Sequence, residues 1–160
     1  MHQPQRFSFH THADDCFLFD SGRLGRDKSY RKSVMASCLA NKDKAEAQYQ
    51  LGIIYYHGLG VRKNLSEAKK WLRKASLRGD ASAQGALGVL YGNGEGDWKN
   101  CGEAEKWLLK SAEQVNDSAQ LNLGIFYTSE SCGKTDAVKA VKWYREAEKQ
   151  GNDEAANNLA

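Results

Sequence analysis

The chain has 160 residues, 41% hydrophobic and 27% charged, with a formal net charge of +3. That length suits one domain with a continuous core, and the charge is too mild for the strong basic field of a nucleic-acid binder. No run approaches the ~20 apolar residues of a spanning helix, and the N-terminus lacks the basic start and apolar stretch of a secretory signal.

Residues 1–27 form an arm with Phe7, Phe9, Phe17, Leu18 and Phe19 between polar breaks. Its aromatic content predicts a short hairpin or an ordered arm, because disordered segments are poor in aromatics. His10, His12, Asp14, Asp15 and Cys16 are metal-ligand types at short spacing. No second cluster completes the four ligands of a zinc site, so the stretch reads as a polar turn and no metal is expected. The segment 28–44 predicts a capping helix over Ser29–Ala40.

From residue 45 a period of 36 takes over. It carries Trp71, Trp107 and Trp143; Ala47, Ala83, Ala119 and Ala155; Leu51, Leu87, Leu123 and Leu159; Tyr55, Tyr91 and Tyr127. Gly52, Gly88 and Gly124 follow the leucines. A fixed period of this length marks stacked repeats. Ala47, Leu51 and Tyr55 lie on one face of a first helix, which Gly58 and Gly60 end. Ala68, Trp71 and Ala75 mark the buried stripe of a second helix, which Gly79 closes. Asn64, Asn100 and Asp136 are its N-caps, and Glu67 and Glu103 stand where a capping box needs them. The predicted pairs are Ala45–Tyr56 with Ser66–Arg78, Ala81–Tyr91 with Glu103–Val115, and Ser118–Tyr127 with Ala137–Gln150. In this register Met35 of the capping helix takes the tryptophan position and Leu39 that of the second alanine. Asp153–Ala160 begins a further first helix.

Other motifs lead nowhere chemical. Gly133-Lys134-Thr135 ends like a phosphate loop, but Thr128 stands where glycine is required and a helix precedes it. His57 has no nucleophile or acid at fixed spacing and reads as an exposed helix-end residue. Trp98, in a loop, either covers the core or anchors a contact. Lys69, Lys70, Arg73, Lys74 and Arg78 read as a solvated outer face. Cys16, Cys38, Cys101 and Cys132 form no repeating framework. Free thiols in a reducing compartment are expected, although four cysteines can pair in three ways.

The first repeat, AEAQYQLGIIYYHGLGV followed by NLSEAKKWLRKASLRG, resembles the Sel-1-like repeat family, relatives of the tetratricopeptide repeats. The second departs at Asp97 and Val115, and the third has Glu130 and Cys132 in place of the loop glycines. The resemblance covers residues 45–160, with repeats at 45–80, 81–116 and 117–152 and a partial cap. It implies an all-α fold, an α/α solenoid wound as a right-handed superhelix of helix pairs. The cysteine pairs eight residues apart found in cysteine-rich relatives are absent, with Ser76 and Gln84 at those places.

The resemblance also implies a non-enzymatic adaptor that binds another protein. In related repeats the first helices line the concave side. Here that row is Tyr49, Ile53, Tyr56 and His57, then Gly85, Val89 and Gly92, then Leu121, Ile125 and Thr128. The row either packs against the next repeat or forms a groove for a partner's peptide or helix, with Gly85 and Gly92 leaving a dip. A bacterial cytoplasmic protein without cofactor, membrane or nucleic-acid partner is expected. A toxin-neutralising immunity protein is the first alternative, and a β-lactamase-like hydrolase is a weaker one.

Overall fold

The computed structural model describes residues 16, 20–94 and 99–160. Trp98, His10, His12, Asp14 and Asp15, with the other residues of the arm's expected hairpin, lie outside them. All regular structure among the described residues is helical. The helices are α1 (Ser21–Arg26), α2 (Lys28–Ala40), α3 (Ala45–His57), α4 (Leu65–Leu77), α5 (Ala81–Asn93), α6 (Cys101–Glu113), α7 (Asp117–Thr128), α8 (Ala137–Lys149) and α9 (Asp153–Leu159). The chain divides into two compact units, Met1–Trp71 and Leu72–Ala160.

The helix boundaries follow from local chemistry. The Asn64, Asn100 and Asp136 side chains accept the backbone N–H groups of Glu67, Glu103 and Lys139 at 3.0 Å each. Gly58 and Gly94 end α3 and α5 in the left-handed region. The capping boxes do not close. The Asn64 and Asn100 backbone N–H groups donate instead to the Tyr55 and Tyr91 carbonyls, so the box has no donor left to take. The glutamates turn to the tryptophans: Trp71 Nε1 donates to Glu67 at 3.1 Å and Trp107 Nε1 to Glu103 at 2.9 Å. Each indole N–H is thereby satisfied while its ring stays in the core.

In the first unit Cys16, Leu24, Val34, Cys38, Ala47, Leu51, Ile54 and Trp71 form one apolar cluster. The capping helix is displaced from the expected register. Val34, Ser37 and Cys38 are buried, whereas Leu39 is 45% exposed and Met35 only packs at the cluster's edge. In the second unit α5 packs on α6, α6 on α7, α7 on α8 and α8 on α9. Trp107 and Trp143 are buried there, with Leu87, Leu90, Leu108, Leu123 and Tyr144. Gly88 and Gly124 allow the close approach of the paired helices: a Cβ on Gly88 would sit 2.7 Å from Leu108 Cγ, and one on Gly124 would strike the Tyr144 ring.

The expectation of free thiols is overturned. Cys16 is bonded to Cys38 and Cys101 to Cys132, and no described cysteine is free. The second bridge joins the start of α6 to a 3-10 turn, Glu130–Cys132, in the loop where the third repeat lost its glycines. No spacing rule finds either pair, because each links segments brought together only by packing.

Candidate functional site

The expected contact row falls in both units. Tyr49, Ile53 and Tyr56 are half-buried on α3 and His57 is exposed at its end. The Tyr56 and His57 rings meet edge-on at 4.8 Å, and Lys63 Nζ lies 5.6 Å from the Tyr56 ring centre.

The second unit has a pocket of about 130 Å³ between α5, α7 and the turn after α7. Val89, Gly92 and Ile125 line it, joined by Leu108 and Phe126 beneath and by Asn93, Asn122, Ser129, Ser131 and Cys132 at its edges. Ile125 is 39% exposed, a large apolar side chain left facing solvent. Gly92 keeps the pocket open on the α5 side, where its nearest neighbour is Ala104 Cβ at 3.6 Å from an added Cβ. Helical geometry explains the convergence, since Val89 with Gly92 and Asn122 with Ile125 are i, i+3 neighbours on facing helices.

Three residues of the row do other work. Gly85 forms no dip: the space beside it holds Ser111 Oγ and Ala119 Cβ. Leu121 is buried. Thr128 is exposed, and its hydroxyl donates to the Ile125 carbonyl at 3.0 Å and lies 3.2 Å from the Tyr144 hydroxyl.

Polar contacts brace the turn that forms one wall, alongside the Cys101–Cys132 bridge. Lys99 Nζ donates to Ser131 O at 2.7 Å and Ser131 Oγ at 2.8 Å. Glu105 accepts from Tyr127 Oη at 2.7 Å and from Lys134 Nζ at 2.6 Å. The Lys134 hydrogen bond, aided by Tyr127, holds the Glu105 carboxyl below its ordinary range against the opposing effect of burial. Burial and the Glu105 charge raise the Tyr127 phenol.

A buried glutamine series escaped the sequence reading. Gln84 Nε2 donates to Ser76 O and Gln120 Nε2 to Ala112 O, each reaching from a first helix to the end of the preceding second helix. Gln114 and Gln150 donate in turn to the Gln84 and Gln120 side-chain oxygens. The signal was available: Gln48, Gln84 and Gln120 keep the 36-residue step. These glutamines tie helices together. Among the described residues no group of three or more His, Cys, Asp or Glu could hold a metal, and no helix is long and apolar enough to cross a membrane.

The comparisons agree with this architecture. The Sel1 repeat profile matches residues 45–80, 81–116 and 117–152. A Sel1 repeat protein from Oxalobacter formigenes is similar in structure, with a TM-score of 0.68 and 32% identity over 86% of this chain and 57% of that one. The protein c5321, a protective antigen present in uropathogenic Escherichia coli strains and displaying an SLR fold, gives a TM-score of 0.70 and 34% identity over 85% of this chain and 28% of that one. The chain thus spans less than two thirds of either relative. No curated protein is significantly similar. Sel1 repeats are generally protein–protein interaction modules. The matched repeats, the all-helical pairs and these structural relatives together show that the chain belongs to the Sel1 repeat family.

Proposed function

We propose that this protein is a non-enzymatic adaptor that holds a segment of a partner protein in the pocket of its second unit. The observation that carries the reading is the convergence of Val89, Gly92 and Ile125 over Leu108 and Phe126. Apolar side chains around a small concavity suit one aliphatic side chain of a partner. Asn93 and Asn122 at the rim make no side-chain hydrogen bond among the described residues, so their amides are available to a peptide backbone. Tyr49, Ile53, Tyr56 and His57 are further candidate contacts on the first unit. The adaptor needs no cofactor, nucleic acid or membrane.

The disulfides favour an oxidising compartment over the cytoplasm first expected. The solved relatives are bacterial, which supports a bacterial setting such as the periplasm or the cell exterior. No described feature favours the immunity or the hydrolase alternative.

A partner captured by affinity and then purified provides the test. Ile125→Ala keeps the helix and should weaken binding by about 1–3 kcal/mol, as for a contact near the centre of an interface. Tyr56→Ala should do the same if the first unit contributes, and Lys70→Ala with Lys74→Ala should leave affinity unchanged. A partner that needs the lysines and ignores Ile125 would place binding on the outer face. Turnover of a small substrate by the protein alone would sink the adaptor reading.

A further inference from the structure

The two disulfides occupy different environments. Cys16 and Cys38 are fully buried, and Cys38 lies in the last turn of α2. Cys101 and Cys132 are both half-buried, Cys101 is the first residue of α6, and Cys132 lines the pocket. The Glu130–Cys132 turn contains no buried residue. Besides the disulfide, the turn and its flanks are tied to the start of α6 by the Lys99–Ser131 and Lys134–Glu105 contacts. Contacts from exposed lysines hold little on their own. The covalent bond is therefore the strongest of the ties that keep this wall of the pocket in place, and the polar contacts add to it.

We infer that the Cys101–Cys132 disulfide is a reducible latch on the groove, opened by a dithiol donor that attacks Cys132 and expels Cys101. The attacking thiolate bonds to Cys132 Sγ, the S–S bond breaks, and its electron pair leaves on Cys101 Sγ. A thiolate there sits at a helix N-terminus, where the helix dipole favours negative charge. A better-stabilised leaving thiolate departs faster. The donor's second thiol then attacks the mixed disulfide and releases Cys132. Two electrons and two protons reach the protein, and the donor becomes a disulfide. At the buried pair no donor can approach, and a thiolate on Cys38 would face the negative end of α2. Opening unties Cys132 from α6 and leaves that wall of the pocket held by the polar contacts alone. The latch adds redox control to the proposed adaptor site.

Dithiothreitol titration of the oxidised protein, with alkylation and peptide mass spectrometry, tests the order of opening. Cys101 and Cys132 should be labelled at donor levels roughly tenfold or more below those that open Cys16–Cys38. With glutathione as donor, the trapped mixed disulfide should sit on Cys132. Hydrogen exchange of the amides of residues 129–134 should rise about tenfold or more on opening. The Cys101→Ala/Cys132→Ala double variant should show the same rise without reductant and keep the protection of α5. Earlier opening of Cys16–Cys38, glutathione found on Cys101, or unchanged exchange at 129–134 would each overturn the latch. None of these readouts needs a partner, so they stand apart from the failure or success of the adaptor reading.

Discussion

Val115 is the one described non-glycine residue with a positive φ, at 64°, and it is 63% exposed. It closes α6 where Gly79 and Gly151 close α4 and α8 at φ 90° and 85°. A β-branched side chain in that region meets its own backbone, at a cost of roughly 1–2 kcal/mol. Glycine relieves the clash but gains freedom in the unfolded chain, which offsets part of the benefit. Val115→Gly should therefore stabilise the protein by about 0.5–1 kcal/mol, seen as a thermal midpoint a few degrees higher. A midpoint unchanged or lower would mean that the exposed valine makes a stabilising contact. The substitution was legible in the sequence as a departure from the repeat, and its strain became visible only with the dihedral. The glutamates behave in the opposite way. Spacing alone makes Glu67 and Glu103 capping partners, yet the competing backbone bond to the preceding tyrosine carbonyl gives them to the indoles.

Among the elements, the six repeat helices were legible to within two residues at every end. Period, cap and terminal glycine all point the same way there. The capping helix α2 was legible as a helix but not in its register. Its buried face is set by the Cys16–Cys38 bridge and by Leu24 of α1, contacts no repeat period encodes. The pocket was half legible: Val89, Gly92 and Ile125 came from the repeat, whereas Ser129, Ser131 and Cys132 arrive on a turn that replaces the family's glycine loop. That turn should respond to acid. The folded pKa of Glu105 is depressed below its ordinary value of 4.5. A depressed carboxylate contributes stability that is present above the unfolded pKa and is lost as pH falls through the folded one. Exchange protection at residues 129–136 should hold from neutral pH to about pH 5 and decline below pH 4.5. Glu105→Gln should lower protection at neutral pH and flatten that decline. An identical acid profile in the variant would assign the response to another carboxylate.

At the scale of the whole molecule, a repeat array has no single centre whose loss unfolds everything together. Each helix pair owes its stability to itself and its immediate neighbours. The Gln114–Gln84 and Gln150–Gln120 bonds, and the ring of Tyr144 over Gly124, are all links of this nearest-neighbour kind. Damage at one link should accordingly stay local. Gly124→Ala places a methyl group against the Tyr144 ring, which is buried and backed by the rest of α8. Overpacking of this sort costs about 1–3 kcal/mol. The loss should appear as faster amide exchange, steepest in α7 and α8, weaker in α5 and α6, and smallest in α1–α3 of the first unit. The ring cannot yield without moving its helix, so a smaller cost would mean that α8 shifts as a body and the loss would extend into α9. A uniform rise in exchange along the chain would instead show one cooperative fold, and the nearest-neighbour description would have to be given up.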